Sequence, residues 1–179
     1  MTARLPVVLK DQTSSLGKSK DIPTEEEDLE AAIKRCKKLV TKRALYSAGA
    51  SLVPLPGVNI TIDVALMASI LNSVNSEFGL SPREIERLST DQRLEVFAMI
   101  TAVGSSWAGK YITAPLVTAV LKKLSVQITA TQAAKFVPIL GQVAGAGISF
   151  AAMKFIGNKH IEDCVRISRL FAKSKERQA

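Results

Sequence analysis

From Leu29 onward, apolar residues return at intervals of three and four: Leu29, Ile33, Cys36 and Val40 share one helical face, and Lys34, Arg35, Lys38 and Lys42 fall on the opposite one. Thr24 and Glu27 stand at capping-box spacing behind Pro23, and Glu25, Glu26 and Asp28 suit the positive end of a helix, so order is predicted to begin at Thr24. The helix is expected to run to about Leu52 and to break at Val53-Pro54-Leu55-Pro56-Gly57, because proline lacks an amide donor and disfavours helix in the residue before it. A second helix is predicted from about Asn59 to Phe78. Ser81-Pro82-Arg83-Glu84 combines a capping box with proline at the first helical position and predicts a short third helix ending near Leu88. Thr90 and Asp91 open a fourth, reaching about Gly109, and further helices are expected over 112–124, 129–136, 142–156 and 159–175. No run alternates with period two over a useful length, although the β-branched stretch 58–63 leaves its own type open. The fold class expected is all-α: a single bundle of about seven to eight helices over 23–177, with its apolar helices broken by Pro and Gly. Residues 1–22 mix Ser, Thr, Gly, Lys and Asp without periodicity and are expected to form a disordered tail, since they bury too little to offset the entropy of ordering.

Two apolar stretches complicate the picture. Residues 44–62 hold 19 consecutive uncharged positions and 136–153 hold 18, close to the length that crosses a bilayer. Each contains a V-P-x-x-G pattern, Val53 to Gly57 and Val137 to Gly141, so Pro54, Pro56, Gly57, Pro138 and Gly141 read as hinge or turn positions. Those breaks and the polar Asn59, Thr61 and Gln142 favour a bundle core over an uninterrupted span. Gly141, Gly145 and Gly147 with Ala144, Ala146, Ala151 and Ala152 make a small-residue surface that another helix can approach in water or in lipid.

Charge sharpens this. The chain has 179 residues and a net charge of +8, which draws it to acidic surfaces. The distribution is uneven: 1–30 is net −3, whereas 31–43 carries six basic residues and no acid, and 158–179 is net +3. The basic residues Lys34, Arg35, Lys38, Lys42 and Arg43 are therefore the candidate binding positions for a membrane surface or a protein partner. Nucleic acid is a poor fit, because only Tyr46 lies near the basic stripe and no base-stacking platform is present. Cys36 and Cys164, far apart and within apolar helical patterns, read as buried thiols of a reducing compartment. No continuous apolar run follows the N-terminus, and the expected location is cytoplasmic, with membrane association.

Candidate chemistry is sparse. Gly104-Ser105-Ser106-Trp107-Ala108-Gly109-Lys110 matches G-x-x-x-x-G-K, but Tyr111 stands where a hydroxyl must hold magnesium, and residues 94–103 before it are helical in pattern rather than a strand. An ordinary turn accounts for it. His160 is the single histidine and reads as a solvated residue near the start of a helix, unpaired with either cysteine. Asp63, in an otherwise uncharged stretch, is expected to meet a basic side chain of the first helix rather than to handle protons. With no C-x-x-C pair and one histidine, neither a metal, a cofactor nor a catalytic site is expected.

The block Ser51-Leu52-Val53-Pro54-Leu55-Pro56-Gly57-Val58, followed by Asp63 and Phe78-Gly79-Leu80, resembles the helical domain of the immunity-related, interferon-inducible GTPases, and is similar to a bacterial GTPase-associated helical domain of unknown function. Val137-Pro138-Ile139-Leu140-Gly141 with Ala146-Gly147-Ile148-Ser149-Phe150 is the second matching block, and the resemblance spans about Ala32 to Phe171. It implies a helical bundle that accompanies a GTPase, sometimes on membranes. The nucleotide-binding motifs of a G domain are missing from these residues, so no GTP hydrolysis is implied here and the GTPase would be encoded elsewhere. Fold analogy alone does not establish function. The expected function is a non-catalytic helical interaction module binding a protein partner, for which the resemblance implies a GTPase, and acidic membrane surfaces. The alternative is a membrane-inserting or pore-forming protein that uses the two V-P-x-x-G hairpins.

Overall fold

The computed structural model describes residues 20–50, 58–119 and 141–178. Among them the chain is all-α, with no strand. Five helices are bounded: α1 (Glu26–Ala50), α2 (Val58–Glu77), α3 (Pro82–Ile85), α4 (Thr90–Val103) and α5 (Gly141–Gln178). Residues 114–119 are also helical, within the stretch expected over 112–124. The count falls below the seven to eight expected for two reasons. The predicted helices at 142–156 and 159–175 are one continuous α5, and 129–136 lies outside the described residues.

Gly157 lies in the gap between the two predicted helices, and it is a point of close approach between α1 and α5. A Cβ placed there would meet Val40 Cγ1 at 2.8 Å and Cγ2 at 2.9 Å. Glycine costs a helix interior about 1 kcal/mol relative to alanine, and here that cost is offset by letting two helices close on each other. Thr41 receives a 2.8 Å bond from Lys154 Nζ, and Glu26 pairs with Arg169 at 2.7 Å, so α1 and α5 run antiparallel along their lengths. Helix α5 is the hub, packing on α1, α2 and α4, while α1 also packs on α2. The predicted apolar face of α1 is buried as expected: Leu29, Cys36 and Val40 are in the core, with Ile33 packed at its edge.

The termini show which local signals act. Helix α1 begins at Glu26, with the Leu29 amide donating to the Glu25 carbonyl, two residues beyond the predicted start at Thr24. In α3 the Ser81 hydroxyl donates to the Glu84 carboxylate, so the expected capping box is not formed with the backbone. The reciprocal box appears at Ser89 and Gln92 and opens α4 instead. Helix α4 stops at Val103 rather than near Gly109, because Gly104 adopts a left-handed φ of 72° and its amide donates back to Ile100 and Thr101. Helix α2 ends on Gly79 at φ 62°, with the Leu80 amide donating to the Asn75 carbonyl at 2.8 Å and Leu80 fully buried.

Gly79 also explains the start of the packed chain. A Cβ there would strike the backbone of Lys20, Asp21 and Ile22 at 2.6–2.7 Å, so this segment runs directly across the end of α2. Ile22 is in the core, and Lys20 pairs with Glu77 at 2.6 Å. Lys20 to Ile22, assigned to the tail from composition, are thus packed, and residues 1–19 lie outside the described residues.

Candidate functional site

Helix α1 positions the basic residues, and α2 decides which of them remain available. Arg35 donates from Nε to Glu77 at 2.8 Å, sharing that carboxylate with Lys20. Burial disfavours the Glu77 carboxylate, but the hydrogen bonds and charges of Lys20 and Arg35 outweigh it and hold its pKa below the ordinary glutamate value. Arg43 turns toward α2 and donates to Ser69 Oγ at 2.7 Å and Ser73 Oγ at 3.0 Å. Two of the five predicted binding positions are therefore engaged in holding α1 against α2. Lys34, Lys38 and Lys42 stay exposed, and Lys37, not among the predicted binding positions, is exposed as well. Beyond them, Leu45 is 59% and Tyr46 45% exposed. From Lys34 to Tyr46 this face spans about 18 Å at 1.5 Å per residue. It is a lysine ridge ending in an aliphatic and an aromatic side chain.

The hinge positions Pro54, Pro56, Gly57 and Pro138 lie outside the described residues, whereas Gly141 is the first residue of α5. Asp63 belongs to α2, but its side chain is outside those described. Among the described residues, no helix is long and apolar enough to cross a membrane. The hairpins on which lipid insertion would depend fall mostly beyond them.

The loop after α4 is filled by its own residues. Trp107 and Ala108 are buried, Ser105 Oγ accepts from the Ala108 amide at 3.2 Å, and Lys110 Nζ folds back onto the Ser106 carbonyl at 3.2 Å. Two asparagines one turn apart on α2 fasten this loop. Asn72 donates to the Ile112 carbonyl at 2.7 Å and accepts from its amide at 3.1 Å, and Asn75 Nδ2 donates to the Trp107 carbonyl at 3.0 Å. Because Nδ2 faces a carbonyl, Oδ1 faces His160, whose Nε2 lies 2.9 Å away and must donate.

His160 is fully buried, which corrects its reading as a solvated residue near a helix start. The continuity of α5 places it in the helix interior, facing α2. Burial lowers its pKa from 6.5 to about 3, against a smaller opposing effect of the Leu71 carbonyl, so the ring is neutral. Cys164 follows one turn later. Its Sγ lies 3.8 Å from Nε2 and 4.0 Å from Nδ1, distances too similar to aim it at either nitrogen. This corrects the expectation that His160 is unpaired with either cysteine, since one helical turn sets Cys164 on the same face of α5; Asn75, 85 residues away, is brought in only by the packing of α5 on α2. Burial raises the Cys164 thiol well above its ordinary pKa, with Cys36 and Asp163 adding to it, and pushes Cys36 up to about 12. Both cysteines are free and buried, as their apolar context suggested. A neutral ring beside a protonated thiol is a packing arrangement, not an activated nucleophile. Among the described residues no cluster of three or more His, Cys, Asp or Glu is placed to hold a metal ion.

The described fold defines an all-α protein with a lysine-lined outer helix. Comparison with known proteins finds no matching family model, no matching curated protein and no matching solved structure.

Proposed function

We propose that this chain is a non-catalytic helical interaction module of the cytoplasm that meets acidic surfaces through α1 and engages a protein partner, for which the resemblance described above suggests a GTPase. The observation that carries this reading is the exposed lysine ridge Lys34, Lys37, Lys38 and Lys42 with Leu45 and Tyr46 at its end. Lysines attract anionic head groups, and the two larger apolar side chains supply area to bury at the headgroup boundary. The non-catalytic part of the reading draws on the loop at 104–110, where Trp107 and Ala108 are buried, and on a neutral, enclosed His160.

Co-sedimentation of the full chain with phosphatidylserine-containing vesicles tests the surface. Binding is expected to be released by high salt and absent with phosphatidylcholine alone. At about 1 kcal/mol per lysine near an anionic surface, Lys34→Glu/Lys38→Glu/Lys42→Glu is expected to weaken binding about a hundredfold. Unchanged binding by that variant, or retention of the unmodified chain until detergent is added, would refute the proposal.

A further inference from the structure

We propose that the groove between α4 and α5 docks an acidic amphipathic helix of a partner protein. It is open and shallow, and its apolar lining is Ala102 and Val103 from the last turn of α4, and Leu170 of α5, 39% exposed. Its rim is basic: Arg166, Arg169 and Lys173 recur along α5 at spacings of three and four. The space is about 360 Å³. Arg166 and Lys173 have no ion-pair partner among the described residues, and both are exposed. Arg169 is joined to Glu26, but both side chains of that pair are more than half exposed, at 56% and 60%, so the contact is weak and exchangeable.

Charge and shape together point to the occupant. Ser174 of α5 donates to Glu95 of α4 while Arg166 lies by the α4 C-terminus, so the two helices run antiparallel, and a furrow between them accepts a ridge of side chains. A phosphate requires donors converging on one point, but these cations are strung over about 10 Å from Arg166 to Lys173. A helix with acidic residues at matching intervals beside an apolar stripe satisfies both lining and rim. Neither α4 nor α5 belongs to the α1 ridge. This assignment gives the chemistry of the protein partner in the function proposed above and rests on that part of it.

The test uses the isotopically labelled full chain and a synthetic helical peptide of about three turns, with Leu along one stripe and Glu along its edge. A second peptide carries Lys in place of each Glu. The acidic peptide is expected to shift the backbone signals of Ala102, Val103 and Leu170 saturably, and the basic one to leave them unmoved. Arg166→Glu/Lys173→Glu should weaken binding about tenfold or more, with the milder Arg166→Gln/Lys173→Gln moving it in the same direction. Vesicle binding should persist in both. Shifts confined to the α1 lysines, or equal affinity for the charge-reversed variant, would overturn the proposal while leaving the α1 surface standing. Loss of vesicle binding by the Arg166 and Lys173 variants with the peptide still bound would overturn it in favour of a lipid contact.

Discussion

His160 provides a direct measure of how tightly α2, α5 and the Trp107 loop are joined. Its imidazole is enclosed and donates to Asn75, which in turn holds the Trp107 carbonyl. Burial depresses the folded pKa to about 3 from 6.5. In the unfolded chain the ring takes up a proton near its ordinary value, so the unfolded state binds more protons between these limits and stability falls as pH drops through that window. At 1.36 kcal/mol per pH unit, the 1.5 units between 6.5 and pH 5 correspond to about 2 kcal/mol lost at pH 5. Urea unfolding at pH 7.5 and 5.0 measures this, followed by the fluorescence of Trp107, the single tryptophan, buried in the loop that Asn75 fastens. The control is His160→Gln, whose amide does not titrate. It is expected to cost about 1–3 kcal/mol at pH 7.5 from imperfect packing and hydrogen bonding. Its further loss on going to pH 5 should be smaller than that of the unmodified chain by about 2 kcal/mol. Other groups, Glu77 included, contribute equally to both proteins and cancel in the comparison. An undiminished acid loss in His160→Gln, or a folded-state imidazole titrating near 6.5 by NMR, would show the reasoning to be wrong.

Two glycines give steric tests. Gly157→Ala sets a methyl against Val40 and is expected to destabilise by about 1–3 kcal/mol despite the better helix propensity of alanine, with Val40→Ala partly relieving the clash in the double variant; additive losses in a denaturation cycle would contradict the close approach. Gly79→Ala adds a Cβ at φ 62° and within 2.7 Å of the Lys20–Ile22 backbone, so a loss of about 3 kcal/mol or more is expected, together with faster hydrogen exchange at Ile22. Ordinary stability and unchanged exchange there would exclude the crossing of that segment over α2.

The sequence by itself determined the helical character of the described chain, the buried and exposed faces of α1 and the burial of both cysteines, because helix neighbours lie three and four residues apart and a local pattern reports them. It also located an approximate capping signal for α4, though at Thr90 rather than at Ser89, which the structure uses. Tertiary structure alone decided the rest. Arg35 is paired because Glu77, 42 residues away, stands beside it, and Arg43 is turned toward Ser69 and Ser73 by the packing of α1 on α2. Gly157 sits inside a continuous helix at a point where Val40 occupies the space a side chain would need. His160 changes from an expected surface residue to a buried, neutral one because α5 carries it against Asn75. The α4–α5 groove joins residues more than sixty positions apart. Periodicity fixes which face of a helix is apolar, but the partner that each polar side chain meets depends on which helices lie together, and no local pattern contains that information.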